Sequence, residues 1–474
     1  MGRRDLTEQA PMAQQGRLIA VSNRVAMPRK GQAAAGGLAV GIQAALADKG
    51  GIWFGWNGQL ARTEASDATV TSQDGVDYAT ISLNERDFEQ YYNGYSNRVL
   101  WPICHYLNNF ILYEADDFEG YLRVNSVFAR KLAPLIKPDD MIWVHDYHLI
   151  PLAAELRAAG YKNPIGFFLH VPFPSYEAFR AIPGHDYLLR ALCAYDVVGF
   201  QTERDLAAFR TCMRQPEIGG EVLSDTEIRV AGGTMTVDAF PIGVDVDGLQ
   251  SAAAEAVDTD AVRRMYRSLS GRDLVIGVDR LDYSKALTQR FLSYERLLQK
   301  YPNTQSSLVY MQVAPPTRTG VRAYDEIRTE LEQQAGRING RFAEADWVPI
   351  RYLNKGIERN QLMGFLRVAV SALVTPVRDG MNLVAKEFVA AQDPADPGIP
   401  VVSSLAGASR ELTDAVVVNP YDKDNVADGI ASVITMDIGE RRERYQSMIE
   451  VLRKNDITAW RQRFVDALVN CRRD

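Results

Sequence analysis

"VSALVTPVRDGMNLVAKEFVAAQ" (370–392) joins two apolar runs through a short charged loop. The first run, 370–376, predicts a buried strand. The second, 382–392, has helical spacing and predicts a helix that starts at once, with Asn382 as its N-cap. Asp379 lies in the loop between them. A strand followed directly by a helix is the unit from which parallel sheets with helical layers are built.

The same alternation of apolar, β-branched runs with amphipathic segments continues along the chain. The predicted strands are 17–23, 140–145, 164–170 and 195–201 in the first half, and 273–279, 307–313, 370–376, 400–404 and 415–420 in the second. This pattern excludes all-α and all-β folds. It predicts an α/β protein with one parallel sheet in each half.

The length of the chain favours two domains. It has 474 residues, 46% of them apolar, and single cores rarely grow beyond about 250–300 residues. A small, acidic, core-poor stretch near 243–260 reads as the connector. The last segment carries Trp460 and Phe464 near one helical face, and we expect it to pack across onto the first domain. The predicted division is a flexible extension (1–15), an N-terminal domain (16–245), a C-terminal domain (246–455) and a final helix (456–474).

Composition narrows the function classes. The net charge of −7 gives no broad basic surface for nucleic acid or anionic membranes, so small-molecule partners are expected. Four scattered cysteines suit a reducing compartment, and no apolar run has the length of a signal-peptide core or a membrane span. A cytoplasmic location is therefore predicted, while a homo-oligomer stays an open question. Neither a GxGxxG after an early strand nor a GxxxxGK[ST] occurs, which excludes the NAD and ATP motifs.

Ligands of doubly wound folds bind at the carboxyl ends of the strands, where the candidate residues stand. The loop after strand 273–279 carries Arg280 and Lys285, a planar fork and a point charge that together suit a diphosphate. The helix start after Asp379 would offer free N–H groups to the same anion. The alternative is an ordinary capped loop and a solvated pair of cations that bridges to surface acids, and the residues alone leave it open. Other polar residues at strand ends are Arg24, Asp146, His170 and Arg318.

"HDYH" (145–148) could suggest a metal site. Alternate residues at a strand end point to opposite faces, so His145 and His148 need not converge. Structural histidines are the preferred interpretation, and no metal ion is predicted.

Nine motifs occur in order between residues 17 and 470: "VSNR", "GGLAVG", "WFGW", "YYNGYSN", "WVHDYHL", "GFFLHVPFP", "GFQT", "VDRLDYSK" and "RDGMNLVAKEFVAAQ". On these motifs the chain resembles the bacterial α,α-trehalose-phosphate synthases. These are retaining glycosyltransferases that join glucose from a nucleoside diphosphate glucose, with UDP-glucose the expected donor, to glucose 6-phosphate. The resemblance implies the GT-B fold, in which two Rossmann-like domains face each other across a cleft, with no cofactor and no metal.

The resemblance also implies roles for individual residues. The catalytic set would be Arg280, Lys285, His170 and Asp379. The acceptor, glucose 6-phosphate, would be held by Arg24, Tyr92, Trp101, Asp146 and Arg318. The donor would contact Gly36, Gly37, Arg280, Lys285, Ile357, Asp379, Gly380, Met381, Asn382, Leu383, Val384 and Glu387. Ala286 departs from the family pattern, which has glycine after the lysine.

Two alternatives share much of this pattern. A pseudo-glycosyltransferase that couples cyclitol phosphates has nearly the same motifs. A catalytically inactive sugar-phosphate sensor is disfavoured, because a sensor could lose the diphosphate cations and this chain keeps them. No DxDx[TV] phosphatase motif occurs, so the expected product is trehalose 6-phosphate, and the resemblance implies a role in the stress response.

Overall fold

A computed structural model describes residues 16–25, 27, 41–43, 45–46, 50–63, 67–317 and 322–471. The extension predicted at 1–15 lies outside these residues. Within the described part of the chain, no helix is long and apolar enough to cross a membrane.

The first sheet contains ten strands in the described residues, in the order β3-β4-β2-β1-β5-β6-β7-β10-β9-β8. The strands from β4 to β10 pair in parallel, and β3, β9 and β8 add antiparallel edges. Their bounds are β1 (Leu18–Arg24), β2 (Gly51–Ala61), β3 (Thr69–Gln73), β4 (Val76–Asn84), β5 (Met141–His145), β6 (Ile165–Phe168), β7 (Val197–Phe200), β8 (Glu221–Val222), β9 (Glu227–Val230) and β10 (Gly233–Ala239).

The second sheet is parallel throughout its described strands, in the order β13-β12-β11-β14-β15-β16. Its strands are β11 (Asp273–Val278), β12 (Leu308–Val313), β13 (Ile350–Leu353), β14 (Ser371–Val374), β15 (Val401–Ser403) and β16 (Val416–Val418). The two sheets confirm the predicted α/β class with two Rossmann-like units. All nine strands listed above are present, whereas β2 to β4, β8 to β10 and β13 are not among them.

Helices cover the sheets and carry the loops that face the cleft. They are α1 (Glu85–Asp87), α2 (Trp101–Cys104), α3 (Ala115–Leu132), α4 (Leu152–Ala158), α5 (Tyr176–Phe179), α6 (His185–Leu192), α7 (Glu203–Met213), α8 (Val246–Ala256), α9 (Asp260–Arg267), α10 (Leu287–Lys300), α11 (Arg322–Phe342), α12 (Arg359–Val368), α13 (Leu383–Ala391), α14 (Lys423–Ile434), α15 (Ile438–Lys454) and α16 (Ile457–Asn470). A π-helix spans Phe88–Leu100, and 3₁₀ turns span Asn108–Phe110, Ala133–Leu135, Tyr147–Leu149, Tyr283–Lys285, Pro302–Thr304 and Gly407–Arg410.

Helix α16 lies against the first sheet. The Phe464 ring stacks on Trp143 with centroids 4.6 Å apart, and Trp460 packs on the same ring at 5.0 Å. A Cβ on Gly166 or Gly199 would come within 2.8 Å of Phe464, so the absence of side chains at these two strand positions lets the helix approach closely. The C-terminal end of the chain therefore completes the core of the first domain.

Two segments of chain run side by side between the domains. The Ile457 N–H donates to the carbonyl of Val244 over 3.3 Å, and a Cβ on Gly243 would meet the carbonyl oxygen of Asn455 at 2.2 Å. Helix α8 starts directly after the first of these segments, at Val246, and Asp245 caps its N-terminus. The helix packs on α12 and α13 of the second domain. The division at residues 245 and 455 stays a prediction.

Candidate active site

The loops after β6 and β14 meet between the domains. A Cβ on Gly380 would lie 2.2 Å from the carbonyl oxygen of His170 and 3.1 Å from the carbonyl carbon of Val171. Only a glycine permits this approach of two backbones. The cleft predicted at the carboxyl ends of the strands is therefore lined by both domains at this point.

Hydrogen bonds to a neighbouring loop fix the backbone after β14. The Asp379 N–H donates to the carbonyl of Leu405 over 3.2 Å, and the Ala408 N–H donates to the carbonyl of Met381 over 2.7 Å. The loop is thus held by the second domain itself, independently of any ligand.

Asn382 occupies the N-cap position of α13 but does not cap it, so that part of the prediction is wrong. The residue is left-handed (φ 70°, ψ 88°), and its side-chain amide donates to Asp379 Oδ2 over 3.0 Å instead. Since no side chain caps the helix there, the N–H groups of its first turn remain available to an anion.

Lys285 and Asp379 form the centre of the second-domain site. The Lys285 ammonium bonds Asp379 Oδ2, and both side chains are largely buried. Burial alone would raise the pKa of Asp379, but the charge and hydrogen bond of Lys285 outweigh it and lower that pKa below its usual range. Asp379 is therefore an ionised acceptor whose charge is already balanced.

Arg280 is exposed beside this pair. Its guanidinium carbon lies 5.7 Å from the ring centroid of Trp101, across the cleft, and it forms no ion pair with any described carboxylate. The alternative in which both cations pair with surface acids therefore does not hold: Lys285 pairs inside the site and Arg280 keeps its donors free.

The sequence did not indicate the buried carboxylate that links the domains here. Asp282 accepts from the indole N–H of Trp101 over 3.3 Å and from the Ser284 N–H over 2.9 Å, while the Tyr324 hydroxyl donates to its second oxygen over 3.3 Å. Trp101, predicted to contact the acceptor, is thus 5% exposed and bound to the opposite domain. No local pattern signals such a contact between residues 181 positions apart.

Aromatic stacking extends this interface. The Tyr283 ring stacks on Phe110 with centroids 4.4 Å apart, and the Arg378 guanidinium lies 3.9 Å from the centre of the Tyr106 ring. The loop of Lys285 and the loop of Asp379 are therefore each held against the first domain by an aromatic contact.

Two predicted acceptor residues lie together on the first-domain side. Arg24 is exposed, lies 5.7 Å from the Trp56 ring and pairs with no described carboxylate. Tyr92, in the π-helix, is 6.2 Å from the same ring and stacks on His148 at 5.7 Å. Arg24 and Tyr92 therefore share one corner, built on Trp56.

Asp146 follows β5 in a positive-φ conformation (φ 74°) that is uncommon outside glycine. Its Oδ1 accepts the His170 N–H over 3.2 Å. This bond ties the loops after β5 and β6 together at the edge of the cleft.

His170 is held as a neutral imidazole. Its Nε2 lies 3.1 Å from Nδ1 of His145, and burial lowers the pKa of His170 to about 3. A neutral ring can exchange hydrogen bonds with a sugar hydroxyl without adding charge. His148 stacks on Tyr92 and does not converge with His145, and no group of three potential metal ligands occurs among the described residues.

The remaining donor residues lie around the first turns of α13. Glu387 is partly buried, and burial raises its pKa although the Arg359 guanidinium, 3.7 Å away, opposes the shift. Ile357, two residues before Arg359, is partly buried. The other members are the buried Gly380 and Met381 and the half-buried Leu383 and Val384. Gly36, Gly37 and Arg318 lie outside the described residues, so their roles stay predictions.

The model of glycosyltransferase family 20 matches residues 16–470. The chain belongs to this family. A trehalose-6-phosphate synthase from Cronobacter sakazakii is 46% identical over 452 residues, 95% of either chain. A UDP-forming α,α-trehalose-phosphate synthase from Burkholderia xenovorans, solved in complex with glucose-6-phosphate, is 47% identical, with a TM-score of 0.92 over 96% of this chain and 100% of that one. An E. coli protein bound with UDP-2-fluoro glucose is 45% identical, with a TM-score of 0.92 over 96% of this chain and 99% of that one. The GT-B prediction is confirmed by these likenesses.

In this family 20 glycosyltransferase, Ala286 stands where the family pattern has glycine, and its backbone has a positive φ, which glycine adopts more readily. It is left-handed (φ 53°, ψ 41°), 3% exposed, and joins the 3₁₀ turn of Lys285 to α10. The left-handed region costs an L-residue about 1–2 kcal/mol. The strained residue directly follows Lys285, one of the two cations assigned to the diphosphate.

The Ala286→Gly variant is expected to melt within about 2 °C of the parent. Relief of about 1–2 kcal/mol of strain offsets a lost buried methyl, about 0.8 kcal/mol, and the extra freedom of glycine, about 0.5–1 kcal/mol. The control is Ala207→Gly on the exposed side of α7, which should lower stability by about 1 kcal/mol. Equal drops in melting temperature for both variants would contradict the strain.

Proposed function

We propose that this chain is a trehalose-6-phosphate synthase. It transfers glucose from UDP-glucose to glucose 6-phosphate with retention and releases UDP and α,α-trehalose 6-phosphate. The observation that carries the proposal is the buried Lys285–Asp379 pair, whose loop meets His170 of the first domain at Gly380, together with Arg280, which pairs with no described carboxylate. The likeness to proteins solved with glucose-6-phosphate and with UDP-2-fluoro glucose supports both substrates.

On the donor side, Arg280, Lys285 and the free N–H groups of α13 hold the diphosphate. Asp379 accepts a glucose hydroxyl through the oxygen that Lys285 does not neutralise, and Glu387 accepts from the ribose. The donor contacts of Gly36, Gly37, Ile357 and the 380–384 backbone rest on the family resemblance.

On the acceptor side, Arg24 provides a charge-assisted contact to the phosphate of glucose 6-phosphate. Tyr92 and Trp101 border the sugar, and Asp146 accepts from one of its hydroxyls. Arg318 completes this set by resemblance. The first domain thus provides most of the acceptor contacts, with Arg318 reaching over from the second domain, whereas Arg280 and Lys285 of the second domain hold the donor diphosphate.

Transfer with retention proceeds here by displacement at the front face of the donor carbon. Asp379 is a poor covalent nucleophile, because its charge is engaged by Lys285 and Asn382. The leaving diphosphate oxygen takes the proton of the acceptor hydroxyl, while Arg280 and Lys285 stabilise the charge that develops on it. The rate enhancement is then mainly positioning and electrostatic stabilisation.

An assay of nucleotide release tests the proposal. The purified chain is incubated with glucose 6-phosphate and UDP-, ADP- or GDP-glucose, and the sugar product is identified by NMR. We expect UDP release to be fastest and the product to carry an α,α-1,1 linkage. An inactive sensor would bind substrates without releasing nucleotide, and a cyclitol-coupling enzyme would not use glucose 6-phosphate.

The Arg24→Ala variant should raise KM for glucose 6-phosphate at least tenfold and leave KM for UDP-glucose within about twofold. The reason is the loss of one charge-assisted hydrogen bond to phosphate, worth about 1.5–3 kcal/mol. Initial rates with each substrate varied in turn measure both constants. Arg86→Ala, an exposed arginine in α1, is the control. Equal increases in both constants would contradict the separation of the two subsites.

Three further proposals accompany this function. The domains are 16–245 and 246–455, with the helix of 456–474 returning to the first. The location is cytoplasmic. Self-association into a homo-oligomer is the third, and size-exclusion chromatography with light scattering would measure it.

A further inference from the structure

A cavity of 790 Å³ lies between the domains, behind the loop that carries Met381. Gln201, Thr202 and Arg204 line it from the end of β7, while Gly407, Arg410 and Glu411 line it from the second domain. Arg463 of α16 closes a third side. Of the residues assigned above to the donor or the acceptor, Met381 alone is part of this lining. The volume of the cavity lies within the range of small-ligand pockets, about 300–1,000 Å³.

The lining carries an excess of positive charge. Three arginines face two carboxylates, Glu203 and Glu411. Glu411 is already neutralised, since Lys386 Nζ lies 2.5 Å from its Oε2 and the Asn455 side-chain amide donates to its Oε1 over 3.0 Å. Glu203 is the remaining acidic group, exposed at the start of α7.

The arginines of the cavity lack anionic partners. Neither Arg204 nor Arg410 forms an ion pair with a described carboxylate, and Arg463 donates to the carbonyl of Ala459 in its own helix over 3.3 Å. They also approach other cations. Burial lowers the pKa of Arg378 and of Lys386, and the charges of Arg204 and Arg463, respectively, add to that lowering. Asp205, beside Arg204 and Arg378, and Glu411, beside Lys386, offset part of this charge, but the lining keeps three arginines against two carboxylates, and that excess favours a bound anion.

The end of α7 adds to this field. Thr202, Glu203 and Arg204, its N-cap and first two residues, all line the cavity. The N-terminus of an eleven-residue helix carries a partial positive charge and free N–H groups. The backbone dipole therefore has the same sign as the guanidinium groups.

We propose that this cavity is a second anion site for a small phosphate monoester. It lies next to the substrate cleft, since Arg204 and Arg410 also line a small adjoining space that reaches Asp379. Arginine forks match phosphate oxygens in a bidentate way. Arg204 belongs to the first domain and Arg410 to the second, so one anion contacts both. Binding therefore favours the relative placement of the domains seen in the structure, because a ligand shifts a protein toward the arrangement that it binds best.

Calorimetric titration with inorganic phosphate tests the proposal. The donor side of the cleft is first filled with UDP, in a titration that separately reports on the proposed function; glucose 6-phosphate is left out because it is itself a phosphate monoester and would occupy the proposed site. Phosphate is then added at constant ionic strength to the parent chain, to Arg410→Gln, and to Arg410→Gln/Arg463→Gln. The control is Arg214→Gln, an exposed arginine at the opposite end of α7. Phosphate that binds in the substrate cleft is the same in all four proteins, because Arg24, Arg280 and Lys285 are intact in each of them.

The parent chain and Arg214→Gln should bind one more phosphate than the double variant does. The single variant should bind it at least tenfold more weakly, as expected for the loss of one charge-assisted hydrogen bond. Phosphate should also raise the melting temperature of the parent more than that of the double variant. Equal stoichiometry and affinity in all four proteins would overturn the proposal. A melting temperature without phosphate that matches the parent's shows that each variant is folded.

Discussion

The Lys285→Ala variant is expected to lose a factor of about 10²–10³ in kcat, as for the loss of one strong transition-state donor. Two effects act together. The leaving diphosphate loses a cation, and Asp379 loses the ammonium that keeps its buried carboxylate ionised. Steady-state release of UDP measures the first effect.

The second effect has its own signature in the pH profile. Lys285 lowers the pKa of Asp379 against the effect of burial, so its removal must raise that pKa. Residual activity of the variant should therefore fall at higher pH than that of the parent as the solution is acidified. Lys300→Ala, an exposed lysine at the end of α10, is the matched control. Near-normal turnover of Lys285→Ala would refute the assigned role.

The Gly380→Ala variant is expected to lower kcat/KM at least about 100-fold, because displacements of about 1 Å at an active site can have this effect. The new Cβ would stand 2.2 Å from the carbonyl oxygen of His170. Its three nearest atoms all belong to the backbone of His170 and Val171, which cannot rotate away as a side chain could. Either the loop of Asp379 must shift or the two domains must move apart. Both outcomes disturb the alignment of donor and acceptor.

Activity measurements and small-angle scattering with both substrates bound separate these two outcomes. A larger radius of gyration indicates opening of the cleft, whereas an unchanged one indicates a shifted loop. The control is Gly336→Ala in α11, where no atom lies within 4 Å of the new Cβ. Full activity of Gly380→Ala would show that the contact with His170 is not needed.

Much of the fold follows from local patterns. The apolar runs of β1, β5 and β11 are short, continuous and followed by amphipathic segments, so each predicts its own strand. The strand at the β3 edge of the first sheet is not predicted by such a pattern, because apolar and polar residues alternate little in β3 and nearly all of it is exposed. The π-helix of Phe88–Leu100 has no periodicity of its own, and non-helical dihedrals at Gly94 interrupt it.

The residues of the candidate site also fall into two groups: those that the local sequence predicts and those that only the tertiary structure brings together. Arg280, Lys285 and Asp379 stand beside predicted strands, and their position is enough to nominate them. The bond from Trp101 to Asp282 and the position of Arg378 over Tyr106 join distant segments, so no spacing announces them. The N-cap prediction for Asn382 failed because its backbone is left-handed (φ 70°, ψ 88°) rather than extended, as N-cap residues usually are, and its side-chain oxygen makes no bond to the first turn of α13. A residue's identity predicts what it can bond, while the tertiary structure selects the partner.

The position of α16 has a consequence for how the chain is made. Trp460 and Phe464 belong to the core of the first domain, yet they leave the ribosome only after all the described strands of both sheets. During synthesis Trp143 and Gly166 of the first sheet stay uncovered until α16 emerges. The half that is translated first is thus the last to be finished, and premature termination near residue 455 would leave it with an open hydrophobic face.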